Sequence, residues 1–137
     1  MTLALLGSGA KATSVGGRGT DLGFAGLNGL AVVLGTTPTT INGATSSDYV
    51  AVETSTAGAG EPTLVKGQDL TGPVNLRSGT HMVSVSLKAG TLTVVIDGTT
   101  VLTQAVTVPS SAYVAFTGSS GSLTDRHLVQ NAAIAAG

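Results

Sequence analysis

The sequence has no cysteine, no tryptophan, only four other aromatic residues and few charges. Without cysteine, neither a disulfide framework nor a thiolate metal site can form. Six basic residues stand against seven acidic ones, so the chain lacks the positive field on which tight binding to nucleic acid or to an anionic membrane depends. The apolar opening Met1–Leu6 is too short for a membrane span. We therefore expect no nucleic-acid partner and no membrane insertion.

What the sequence does contain is typical of short strands joined by tight turns. Twenty glycines occur among many threonines and serines, while hydrophobic residues still make up 42% of the chain, which is enough for a folded core. A length of 137 residues fits one domain, and we predict a single domain over 1–137. Aromatic residues make up only 3%, which is low for a surface that stacks on sugar rings.

Candidate strands recur at the short spacing of a β-sandwich, and no window shows a helical period. The stretch Ser55–Asn75 is rich in glycine and proline and is predicted to be mostly loop, with a short strand at Thr63–Lys66. The main predicted strands are Thr2–Leu6, Gly29–Leu34, Tyr49–Glu53, His81–Leu87, Thr91–Asp97, Thr100–Val106, Ala112–Thr117 and His127–Ile134.

The clearest local pattern is a three-stranded meander that begins at His81. Val83, Val85 and Leu87 alternate with polar or flexible residues, as in a half-buried strand. Asp97-Gly98 is a preferred dipeptide for a type I′ hairpin turn, in which both central residues have positive φ. Further along, the alternation in Ala112–Thr117 places Phe116 in the predicted core.

Several segments, in this order, resemble bacterial legume-lectin-like domains. They are SVGGRGTDLGFAGLNGLAVVLGT, SSDYVAVET, GTHMVSVSLKAGTLTVVIDG and VPSSAYVAFTGSSGSLTDRHLVQN, which together cover nearly the whole chain. The resemblance implies an all-β fold, a concanavalin A-like jelly-roll β-sandwich of antiparallel strands, and an extracellular or cell-surface location. Family domains carry several strands before the one that Met1–Leu6 resembles, so we expect an incomplete jelly roll or one that another chain completes. Unpaired sheet edges favour strand addition, which makes a homodimer through sheet edges a hypothesis.

The chain departs from the metal-dependent members of this family at one strand. In those members the strand that matches Gly29–Thr36 carries a Glu and an Asp that help to hold metal ions, and this chain has neither carboxylate there. Hard cations need several oxygen ligands, with carboxylates prominent among them. We therefore predict no metal site and no cofactor.

No pattern in the sequence indicates an enzyme. A glycosidase of this fold needs two facing carboxylates, usually on one strand with a Glu-x-Asp-x-x-Glu arrangement, and no such strand is present. No Gly-x-Ser-x-Gly elbow lies between a strand and a helix. We predict no catalytic residues. His81, at the start of a strand, is expected to be a polar strand-start residue.

Three loops are candidates for ligand binding: Gly16–Asp21, Thr37–Asn42 and Gly118–Asp125. Turn geometry explains the glycines of the first loop equally well, and Asn42-Gly43 is also an ordinary turn pair. Asp125 has the alternative of accepting bonds from its own loop amides, and His127 that of pinning the last strand to the sheet. The predicted ligand-binding residues are Gly17, Arg18, Asp21, Asn42, Ser119, Ser120 and Asp125.

Two functions from different classes follow from these observations. The first is a non-catalytic carbohydrate-binding or adhesion module that works without metal, as the resemblance implies. The second is a structural or self-assembling β-sandwich that binds no sugar, which the scarcity of aromatic residues favours.

Overall fold

The chain folds into ten strands and one short 3₁₀ helix, Gly19–Asp21, in the residues that the computed structural model describes, 1–121 and 124–135. No α-helix occurs among these residues, so none there could cross a membrane. The strands are β1 Thr2–Leu6, β2 Gly29–Gly35, β3 Thr39–Ile41, β4 Ala44–Ser46, β5 Tyr49–Ser55, β6 Thr63–Asp69, β7 Val83–Lys88, β8 Thr91–Ile96, β9 Thr99–Ala105 and β10 Tyr113–Thr117.

The largest sheet has five antiparallel strands in the order β10-β1-β2-β5-β6. Its central strand β2 is a nearly continuous apolar run because both faces of the sheet are covered there. Leu5 of β1 lies opposite Leu30 of β2 on one side and Val114 of β10 on the other. Residues directly opposite each other point to the same face, so Val114 shares the face of Leu30.

Strands β7, β8 and β9 form the second sheet, an antiparallel meander. Both of its turns need positive φ, at Ala89 (47°) and Gly90 (76°) in the first and at Asp97 (50°) and Gly98 (82°) in the second. Positive φ at two successive residues is the requirement of a type I′ hairpin, so the turn predicted at Asp97-Gly98 is confirmed.

The main core lies between these two sheets, so the architecture is that of an antiparallel β-sandwich. Alternate side chains from β2, β5, β8 and β9 meet there and are almost completely buried, because each sheet turns one side of its pleat toward the other. These residues are Leu30, Val32, Val50, Val52, Leu92, Val94, Ile96 and Leu102. The predicted all-β antiparallel fold class is confirmed at this level.

The opposite face of the five-stranded sheet is covered by the connection before β2 and by the β3–β4 hairpin. Phe24 is fully buried against Ala4 and Ala31, and Ile41 packs with Val33 and Ala51. These two smaller clusters explain why β2 and β5 are buried on both faces.

The described residues leave one side of the sandwich partly uncovered. Strand β9 lies against β5 and β6, so the meander sits over that part of the large sheet and β10 lies beyond it. Four side chains that point inward by register are therefore 37–44% exposed, namely Val83, Leu87, Val114 and Phe116. We call these four residues and their strands, β7 and β10, the open side.

Most predicted strands are confirmed within two residues at each end, and four expectations are wrong. The β3–β4 hairpin was predicted as loop, and β6 extends to Asp69, beyond the predicted Thr63–Lys66. His127–Ile134 forms no strand, and most of its residues are exposed. Phe116 was expected in the core and is 44% exposed, because no strand of the described residues covers the inner face of β10.

Candidate functional site

A cavity of about 410 Å³ opens where β10 ends. Five consecutive residues, 116–120, line it together with Met1, His127 and Val129. The lining residues thus include one aromatic residue, three residues with a hydroxyl group, a glycine and a histidine, and none of them is acidic. We call this cavity the β10 groove.

Hydrogen bonds join the groove to the predicted loop 16–21. The backbone N–H of Gly19 donates to Ser119 Oγ at 2.6 Å, although 100 residues separate the two in sequence. The Thr117 hydroxyl donates to the carbonyl oxygen of Leu22 at 2.7 Å and lies 2.6 Å from the Thr2 hydroxyl. The structure therefore brings two of the three predicted binding loops together.

The glycines of loop 16–21 are needed for close backbone packing. A Cβ at Gly16 would lie 2.5 Å from the carbonyl oxygen of Gly23, and one at Gly17 would collide with the Asp21 side chain. The amides of Gly16 and Gly17 donate to the carbonyl oxygens of Gly23 and Ala25 at 3.2 and 3.0 Å. Their donors thus serve the fold of the loop, while Arg18 lies exposed at its tip.

Asp125 fastens the chain segment that carries His127 and Val129. Its Oδ2 accepts from the Thr36 hydroxyl at 2.5 Å, its Oδ1 accepts from the backbone N–H of Arg126 at 2.9 Å, and Arg77 Nη2 lies 3.5 Å from Oδ2. The Thr36 hydrogen bond is the main cause that lowers the pKa of Asp125 below its ordinary value, with smaller contributions from Arg126, Arg77 and His127. Asp125 therefore supports one wall of the groove.

Asn42 lies far from the groove. It occupies the turn of the β3–β4 hairpin with φ 52°, and its side-chain amide donates to the carbonyl oxygen of Gly67 in β6 at 3.0 Å. Because β6 and β10 are the two edges of the large sheet, Asn42 is separated from Ser119 and Ser120 by the width of that sheet. Positions 122 and 123 of the predicted loop 118–125 lie outside the described residues.

Sequence reasoning missed Phe116 as a groove residue and treated His127 mainly as a structural one. The alternation in β10 correctly predicted which face Phe116 takes, since its register partner Leu3 lies opposite Val32. What no local pattern could supply was that this part of the inner face is uncovered. The signal for a groove was the neighbouring glycine-serine loop.

None of the described residues that line the groove is acidic. Among residues 1–121 and 124–135, no group of three or more His, Asp or Glu side chains is placed to hold a metal ion. Burial raises the pKa of the Glu53 carboxyl above its ordinary value, but Glu53 lies on β5, three strands away from β10 in the sheet. Its position separates it from the groove.

Comparison with known proteins finds no matching family model, no matching curated protein and no matching solved structure. The resemblance to legume-lectin-like domains thus stays an interpretation of sequence segments. Function has to be inferred from the geometry of the groove and of the open side.

Proposed function

We propose that the chain is a non-catalytic carbohydrate-binding module, a concanavalin A-like jelly roll displayed outside the cell, which binds sugar in the β10 groove without metal. The observation that carries this proposal is that Phe116, a partly exposed aromatic residue, is among the residues that line the same groove as Ser119 and Ser120. A pyranose has apolar C–H faces and a rim of hydroxyl groups, so it needs both kinds of contact.

The hydroxyl groups differ in what they can still offer a ligand. The Thr117 hydroxyl donates a hydrogen bond to the carbonyl oxygen of Leu22, so it stabilises the fold. Ser119 accepts a bond from the Gly19 amide, which leaves its own proton free to donate, since a serine hydroxyl both donates and accepts. Ser119 and Ser120 are therefore the polar contacts that we assign to the sugar.

The groove is also pre-formed, which favours binding because a rigid site loses less entropy when it is occupied. The Gly19–Ser119 hydrogen bond holds one wall, and the contacts of Asp125 to Thr36 and Arg77 hold the segment that leads to His127. Arg18 and Asp21 lie on the loop that Ser119 contacts, where they can reach a larger saccharide.

A glycan array with purified protein tests the proposal, followed by titration of any hit with and without chelator. We expect binding that the chelator leaves unchanged and that Phe116→Ala weakens at least tenfold. Tyr113→Ala is the matched control, because Tyr113 is an exposed aromatic residue of the same strand whose side chain points to the opposite face. An array without hits for the wild-type protein, or equal losses in both variants, would overturn the proposal.

The open side favours a second candidate function, assembly with other copies of the chain. Strands β7 and β10 each pair with only one strand among the described residues, and their inward-pointing side chains are partly exposed. Exposed edges with apolar neighbours promote strand pairing between chains. Light scattering over a wide concentration range tests this candidate with Leu87→Lys, which should dissociate a dimer, and with Lys88→Ala, which should not. A wild-type monomer at all concentrations would exclude it.

A further inference from the structure

The His81 side chain links the β8–β9 turn to the loop that precedes β7. Its ring Nδ1 lies 2.7 Å from Asp97 Oδ2 in the β8–β9 turn, and its Nε2 lies 2.9 Å from the backbone carbonyl oxygen of Asn75. The side chain is only 18% exposed. The ring therefore bridges the turn and the loop 71–80 that leads into β7.

Both partners of the ring are hydrogen-bond acceptors, which bears on the charge of the ring. A carbonyl oxygen never donates, and an ionised carboxylate only accepts. A neutral imidazole carries one N–H and satisfies one of these two contacts, whereas the imidazolium donates to both. The geometry thus favours the charged ring.

The surroundings of His81 contain one opposing charge. Asp97 faces the ring from the turn, while the loop contributes the backbone of Asn75 and Ser78, and no other titratable group in the described residues acts on the ring. The hydrogen bond to Asp97 is the main cause that raises the pKa of His81 above its ordinary value of 6.5. The same hydrogen bond, with one from the Met82 amide, lowers the pKa of Asp97.

Loop 71–80 also contacts Asp125, which holds one wall of the β10 groove. The amide of Leu76 donates to Asp48 Oδ1 at 3.0 Å, and the next residue, Arg77, forms the ion pair with Asp125. Arg77 therefore joins the loop to the segment that carries His127 and Val129.

We propose that His81, Asp97 and the Asn75 carbonyl form a pH-sensitive latch that holds loop 71–80 against the β8–β9 turn and releases it when the ring loses its positive charge. The latch stands by itself, and only its influence on the β10 groove rests on the proposed sugar binding. The pKa of His81 is raised in the folded protein, so its charged ring stabilises the fold. This stabilisation is fully present below pH 6.5 and is lost as the pH rises through the pKa of His81 in the folded state. Because the pKa of Asp97 is lowered, its contribution is present above 3.8 and is lost in stronger acid.

NMR titration of His81 in the full chain tests the latch. Asp97→Asn is the informative variant, because Asn-Gly suits the same type I′ turn and the turn should stay folded. We expect His81 of the wild type to titrate above 6.5 and its pKa to fall in Asp97→Asn. We also expect the amides of residues 75–78 to lose protection severalfold across the wild-type titration, after correction for intrinsic exchange.

Two outcomes would overturn the latch. One is a wild-type His81 pKa at or below 6.5, and the other is equal protection of residues 75–78 on both sides of its titration. If the glycan array shows no binding while residues 75–78 respond to pH, the sugar proposal is wrong and the latch stands. If the protein binds sugar but residues 75–78 show no pH effect, the latch is wrong and the sugar proposal stands.

Discussion

The covered half of the sandwich and its open side are built on the same alternating pattern, yet they differ in what that pattern buries. Leu92 on β8 and Leu87 on β7 lie directly opposite each other and point to the same face, but Leu92 is completely buried and Leu87 is 39% exposed. Alternation therefore predicts which face a side chain takes. Whether that face has a partner depends on where the other sheet ends.

The two regions also differ in how they are held. Apolar burial holds the covered half, since its core side chains come from both sheets. The loops around the β10 groove, next to the open side, are held by polar contacts between distant segments, such as Thr36 with Asp125 and Gly19 with Ser119. We therefore expect the open side to tolerate apolar truncation and these loops to be sensitive to the loss of hydrogen bonds.

The largest effect is expected from truncating the buried member of the leucine pair. Leu92→Ala should lower the free energy of unfolding by about 2–5 kcal/mol, because it removes a buried side chain and leaves a cavity. Leu87→Ala, the matched variant, should cost about 1 kcal/mol or less, since much of that side chain is already in contact with water. Urea denaturation of both variants measures the difference, and equal losses would mean that the open side is covered in solution.

An intermediate effect is expected from removing the hydroxyl that holds Asp125. Thr36→Val should cost about 1–2 kcal/mol at neutral pH, because a hydrogen bond to a charged, partly buried group is lost. The lowered pKa of Asp125 means that this stabilisation is present above 3.8 and disappears as the pH falls through the folded-state value.

The difference between the wild type and Thr36→Val should therefore shrink in acid, which thermal unfolding at several pH values can measure. Thr37→Val, at the exposed neighbouring position, is the control and should change little. A pH-independent loss in Thr36→Val would indicate a packing effect instead.

The smallest effect is expected at the first turn of the meander. Ala89 has φ 47°, a conformation that costs a residue with a Cβ about 1 kcal/mol and that asparagine adopts more readily. Ala89→Asn should therefore stabilise the fold by about 0.5–1 kcal/mol. Ala105→Asn, at the exposed end of β9, should give no gain, and a gain there as large as at position 89 would contradict the turn explanation.

Several elements could be predicted from local sequence because their causes are local. The meander could be predicted because apolar residues alternate in β7 and β8, and because Asp97-Gly98 is a dipeptide that favours the tight turn between β8 and β9. The β3–β4 hairpin was missed although Asn42-Gly43 was recognised as a turn pair, because its strands have only three residues each. Strand β6 was predicted too short because Gly67 signals a turn, whereas here it leaves room for the Ile41 side chain, which a Cβ would approach to 2.9 Å.

The candidate site divides in the same way. The sequence by itself determined the all-β class, the facing of Phe116 and the polar chemistry of the serine-rich loop, because residue type and alternation set these within a few positions. Only the tertiary structure decided that loop 16–21 meets Ser119, that Asn42 lies at the other edge of the sheet and that Phe116 stays uncovered. Those outcomes depend on strand order and on how far one sheet extends over the other, and both are set by contacts between residues far apart in the chain.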